Sequence, residues 1–209
     1  MPSDYHQASL AGFAARQPTD RLFFALMPPS DAAAPITTFA EALRRRLGLR
    51  GKPRPTGHLH VTLHHLGDFA GLPAQQVAAA ATAAAGVATA PFEVRFDRAG
   101  SLAGRAGRHP FVLLGDADTA GPAGLQAALG ARLAAAGLLR RERPFVPHLT
   151  LLYDARMVAP QPIEPIGWEA REFVLIHSLL GRTEYRVLGR WALAWRAGAA
   201  RTPPRRSPR

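Results

Sequence analysis

The chain has 209 residues, enough for one large domain or two small lobes, and a hydrophobic fraction of 47% suffices for a core. It contains no cysteine, which excludes disulfides, thiolate metal sites and a cysteine nucleophile. The formal charge of +11 suits a polyanionic partner, but Lys52 is the only lysine and Ala, Arg, Gly and Pro abound, so compositional bias explains part of the arginine content.

No apolar run reaches membrane-spanning length, and the first twenty residues lack an apolar stretch behind a basic start. A cytoplasmic monomer with no membrane partner is expected. Residues 1–19 show no periodicity and read as a loosely held leader. Arg21 to Met27 is an apolar run ending at Pro28-Pro29 and predicts a buried strand. Ser30-Asp31 offers a helix cap with Pro35 early in the helix. Ile36, Phe39, Ala40, Leu43 and Leu47 follow at helical spacing, and Gly48 provides the stop. Arg50 to Gly57 is a Pro- and Gly-rich loop that leads into the next strand; its Arg50, Lys52 and Arg54 either meet the phosphates of a polyanionic partner or, the favoured reading, belong to an ordinary charged loop.

An Ala-rich helix is predicted over 73–85. Phe92, Val94 and Phe96 alternate with Glu93, Arg95 and Asp97, the pattern of a half-buried strand. A Gly/Arg loop over 100–109 and an apolar strand over 110–115 come next. Leu125, Leu129 and Leu133 stand four apart within a helix predicted over 121–137. Strands are expected at 144–153, 172–179 and 185–195, with a Pro-rich connection at 159–167. Residues 197–209, rich in Arg and Pro, read as a disordered basic tail. This order is an α+β pattern in a single domain over 20–196.

Two stretches repeat a pattern. His60-Val61-Thr62-Leu63 and His148-Leu149-Thr150-Leu151 both read His-x-Thr-Leu, and 88 positions separate the histidines. In a strand, residues i and i+2 share a face. Each copy therefore presents an imidazole and a hydroxyl on one face and anchors its apolar residues on the other. By the same alternation His58 and His64 share the face of His60, and His65 points the other way.

On these residues the chain resembles the 2H phosphoesterases, and among them the bacterial RNA 2′,3′-cyclic phosphodiesterases, also called 2′-5′ RNA ligases. Arg21 to Leu26 resembles the family's opening strand, His64-His65-Leu66-Gly67 the end of its first motif strand, and Tyr185-Arg186-Val187-Leu188 with Trp191 its closing strand. The resemblance implies two pseudo-symmetric lobes, with the motif strands lining a central cleft and helices outside. It also implies metal-independent hydrolysis of a cyclic phosphate to a 2′-phosphate without a cofactor, and possible reverse 2′-5′ ligation. His60 would then be the acid to the leaving oxygen and His148 the base. Histidine suits both tasks, because its ordinary pKa of about 6.5 lets both forms exist near neutral pH. Thr62 and Thr150 would hold the phosphate oxygens.

The family's subgroup has an Arg five residues after the second motif His, where this chain has Tyr153. Tyr153 is thus expected to stack on a base or ribose, or Arg156 or Arg186 to supply the cation. The implied partner is RNA or a small cyclic nucleotide, with a nucleotide-sugar cyclic phosphate also open. Two rival readings are a metal hydrolase built on His58, His60, His64 and His65, and an RNA-binding module without turnover.

Overall fold

The computed structural model describes residues 17–115, 120–139 and 144–194. Twelve elements succeed one another along the chain: strands β1 (Asp20–Leu26), β2 (Val61–Phe69), β3 (Phe92–Ser101), β4 (His109–Leu114), β5 (His148–Asp154), β6 (Gln161–Ala170), β7 (Glu172–Leu179) and β8 (Glu184–Ala192); helices α1 (Ser30–Arg46), α2 (Ala74–Ala85) and α3 (Ala120–Ala135); and a short 3-10 turn at Thr56–His58. The expected basic tail and most of the leader lie outside the described residues. No described helix is long and apolar enough to cross a membrane.

The strands form one sheet in the order β6-β3-β4-β5-β2-β1-β7-β8. Every pairing is antiparallel. The two motif strands, β5 and β2, lie side by side at the centre, each leading outward into a four-stranded half. The fold is α+β, with the pseudo-symmetry expected of the two motifs. The halves are continuous in one sheet, but the seam between them is thin: β2 and β5 share one ladder pair, Val61 with Leu149. The preceding loop adds a bridge from Pro53 to Leu152 and a hydrogen bond from the Arg54 amide to the Leu151 carbonyl at 2.7 Å.

Helices cover one face. Phe24, Leu26, Leu59, Leu63, Phe96, Phe111, Leu149 and Leu151 point into this layer, where Ile36 and Leu43 of α1 and Leu125, Leu129 and Leu133 of α3 are buried among them. The four-residue spacing in α3 places all three leucines on one side of the helix. Phe23, Ala25, Val174 and Ile176 pack on the opposite face with Met27 and Tyr185. That second face carries the motif side chains.

Four expectations need correction. The first motif strand begins at Val61, because Thr56–His58 folds as a 3-10 turn, so His60 sits at the strand's entrance. Helix α1 starts after Pro29 with no side-chain cap, and Asp31 contacts only the next amide. It does end at Gly48, whose φ of 64° lets the Leu49 amide return to the Arg44 carbonyl. The Pro-rich connection at 159–167 is largely strand β6. As an edge strand pairing only with β3, it tolerates Pro162 and Pro165 where a central strand could not.

The fourth correction concerns alternation within the motif strands. Each carries a bulge at the motif leucine. Against β1 the register runs from Ala25–Thr62 to Phe24–His64, skipping Leu63. Against β4 it runs from Val112–Thr150 to Phe111–Leu152, skipping Leu151. A bulge inverts the facing of the residues after it. His64 is therefore turned to the helical face, where its Nε2–H donates to the Gln126 carbonyl of α3 at 2.8 Å. Ordinary alternation from His64 then pairs His65 with Phe23 and brings it out on the helix-free face, against the expected facing; a second irregularity follows, skipping Leu66.

Candidate active site

Both motif histidines are held the same way. The Nδ1–H of His60 donates to the carbonyl of His58, and the Nδ1–H of His148 donates to the carbonyl of Val146, each at 2.8 Å. Tying Nδ1 to a backbone carbonyl fixes the ring's orientation and leaves Nε2 for a substrate. Continuing the Val61–Leu149 register sets His60 opposite Thr150 and Thr62 opposite His148. The two imidazoles thus stand on a diagonal across the seam and the two hydroxyls on the other, all on the helix-free face.

An aromatic wall encloses His60. Its ring lies 5.0 Å from Phe23 and 5.7 Å from Tyr185, centroid to centroid, and Phe23 and Tyr185 meet edge-on at 5.6 Å. Behind it, buried His58 stacks flat on Tyr185 at 4.0 Å. Arg54 braces this stack: its Nη2 donates to His58 Nδ1 at 3.1 Å and to the Tyr185 hydroxyl at 3.3 Å. Burial, then Arg54, lowers the His58 pKa, in keeping with a neutral ring accepting at Nδ1. His60 is pushed down to about 4, chiefly by burial; the His58 carbonyl opposes the shift, and the charges of Arg54, His148 and His58 add to it.

The loop that delivers these groups is pinned by Asp154, the last residue of β5. Its Oδ2 accepts the amides of Arg50 at 2.6 Å and Gly51 at 2.7 Å, and its Oδ1 accepts the Arg156 amide at 2.9 Å. Gly51 is required there, since a Cβ would fall 1.9 Å from the Tyr153 carbonyl oxygen.

The sequence model of the 2′-5′ RNA ligase superfamily matches residues 27–179. The chain belongs to the 2′-5′ RNA ligase superfamily. It is 33% identical over 185 residues to the RNA 2′,3′-cyclic phosphodiesterase of Escherichia coli K12, covering 83% of this chain and 96% of that one. The crystal structure of E. coli LigT complexed with 3′-AMP superposes with a TM-score of 0.66 at 28% identity, over 86% of this chain and all of that one. That of TT0787 from Thermus thermophilus gives 0.65 at 25% identity, over 83% and 97%. As a superfamily member the chain is an enzyme of the cyclic phosphodiesterase class.

Within this 2′-5′ RNA ligase fold the other expected site residues separate. Tyr153 lies on the cleft face, 37% exposed, with the Arg108 guanidinium 4.5 Å above its ring. Arg156 is not brought to the histidines: its Nη1 donates to the Leu47 carbonyl at the end of α1, 2.8 Å away. Arg186 is next to Tyr185 and therefore faces the other way, opposite His177 in β7 and paired with Glu184. The alternation that turns Arg186 away is the one that turns Tyr185 in. His65 and Arg21 share Asp68 on the outer part of the same face. Arg21, first, and His65 hold the Asp68 carboxyl down at about 2. With His64 on α3, His65 on Asp68 and His58 behind Tyr185, the four clustered histidines diverge, and no three metal-binding side chains converge among the described residues.

The sequence did not mark Phe23 and Tyr185 as cleft residues, and it offered Arg54 only as one of three loop cations beside the cleft. Tyr185 and Phe23 were legible as strand residues; their facing was not.

Proposed function

We propose that the enzyme opens 2′,3′-cyclic phosphate ends of RNA to 2′-phosphates, using His60 and His148 as a proton-transfer pair. The observation that carries this reading is the duplicated hardware at the seam. Two imidazoles, each oriented through Nδ1, face one cleft with two hydroxyls that have no hydrogen-bond partner among the described residues. The Escherichia coli relative's name supports the substrate.

In this reading Thr62 and Thr150 donate to the non-bridging oxygens and fix the phosphorus between the rings. His148 Nε2 takes a proton from water as the water oxygen bonds to phosphorus. The bond from phosphorus to the 3′ oxygen breaks, and His60 Nε2 delivers a proton to that oxygen. The Nδ1–H contacts persist in both protonation states, so neither ring has to turn during the cycle. In the free protein His60 is neutral at pH 7, so its proton must arrive with the substrate, whose negative charge favours it. With a 5′-hydroxyl end attacking phosphorus in place of water, the same steps break the bond to the 3′ oxygen and make a 2′-5′ linkage. In the same reading Tyr153, exposed on the cleft face, stacks on a base; its exposure supports this role.

The test is incubation with RNA ending in a 2′,3′-cyclic phosphate, in chelator, then identification of the product ends. A 2′-phosphate that disappears in His60→Ala and in His148→Ala is the expected result. A 3′-phosphate product would overturn the assigned leaving group, and intact substrate would leave a binding module.

A further inference from the structure

We propose that Arg54 is the anion-holding residue of the cleft: its guanidinium receives the phosphate of the substrate beside His60 and sets affinity for it. The proposal rests on the reading of the cleft as a cyclic-phosphate site.

Three arginines are partly buried among the described residues, Arg21, Arg44 and Arg54. Arg21 pairs with Asp68 and Arg44 with Glu41. Arg54 is partly buried and has no carboxylate partner among the described residues. Its two side-chain contacts, His58 Nδ1 and the Tyr185 hydroxyl, are uncharged and both use Nη2. The guanidinium has five N–H donors in a planar fork, so Nε and Nη1 still have donors to offer an oxyanion.

A partly buried cation without a counter-ion is costly, and a phosphate would offset that cost. The position is also rigid. The Arg54 amide is hydrogen bonded to β5, the loop behind it is pinned on Asp154, and its Nη2 braces the His58–Tyr185 stack. Side-chain entropy is thus largely spent before a ligand arrives. On the same face Arg21 is neutralised by Asp68 and Arg108 stacks on Tyr153, whereas Arg54 touches the His60 wall itself through the Tyr185 hydroxyl. Arg54 also lowers the proton affinity of His60, and an anion seated on Arg54 would reverse that influence and load His60 with its proton.

The experiment compares wild type with Arg54→Ala and Arg54→Gln, the latter keeping a hydrogen-bonding head without the charge. Inorganic phosphate and an uncharged nucleoside are titrated while the His60 ring is monitored by NMR, and KM and kcat are measured on a 2′,3′-cyclic mononucleotide. Phosphate affinity should fall about ten- to a hundredfold, the range of charge-assisted hydrogen bonds, with KM rising in step. Nucleoside affinity should stay as in wild type, which loss of a merely structural brace would not allow. Wild-type phosphate affinity in either folded variant overturns the assignment, as does equal loss of phosphate and nucleoside. If wild type binds phosphate through Arg54 yet turns over no cyclic substrate, the functional reading fails and the anion site stands. If the variants hydrolyse it with unchanged KM, the reverse holds.

Discussion

Replacing Asp154 by Ala should loosen the loop that orients His60 from a distance. The carboxylate is 7% exposed and accepts three backbone amides, from Arg50, Gly51 and Arg156. Hydrogen bonds to a charged group contribute about 1.5–3 kcal/mol each. Those amides lie near the surface and water can recover part of the loss, so the net cost should be about 3 kcal/mol, not the full sum. For a chain of this size that lowers Tm by roughly 6–12 °C. The same loop carries the His58 carbonyl that holds His60 Nδ1, so kcat should also fall, by about tenfold or more. The assay is a thermal melt, with turnover measured well below both midpoints. Hydrogen bonding holds the Asp154 carboxyl below the usual range against the opposing effect of burial. Its contribution is therefore present above the unfolded-state value of about 3.9 and lost as pH falls through the folded value. The variant should lack that acid-side loss. A Tm within about 2 °C of wild type, with unchanged kcat, would refute the reasoning.

His60→Ala and His148→Ala should each lower turnover by about a hundredfold or more in folded protein, measured by product formation from a cyclic mononucleotide. Thr62→Val and Thr150→Val keep shape and lose the hydroxyl; each should cost less than either His variant, on the same assay. His60 should titrate near pH 4 in the free protein by NMR. Because the unfolded chain binds that proton at about 6.5, stability falls as pH drops from 6.5 towards 4, by up to roughly 3 kcal/mol. Denaturant unfolding of His60→Gln should show a correspondingly smaller loss over that window.

Periodicity served the sequence reading wherever an element was regular. The leucines of α3 and the alternation of Val94 and Phe96 in β3 are buried as their spacing implies. The His-x-Thr pairs are on one face because both residues precede the bulge in their strand. Beyond the bulges, counting by twos failed. Leu63 and Leu151 look like any strand leucine, and nothing local announces that each displaces the residues after it. Hence His64 and His65 were each expected on the wrong face. Strand β6 was hidden by Pro162 and Pro165, since one-dimensional reading cannot tell an edge strand from a connection. Arg54 could not be singled out from Arg50 and Lys52, because its contacts are with His58 and with Tyr185, the latter 131 positions away.

The thin seam has a mechanical meaning. Seven register pairs fasten β2 to β1 and six fasten β5 to β4, whereas one joins β2 to β5. The ladder bonding is thus dense on either side and sparse along the midline, like two boards joined by a short strip. The two imidazoles stand on opposite boards, so their separation depends on the angle at the strip. A ligand touching both would act as a strut across it, and the working geometry of the pair would be completed by the molecule it binds.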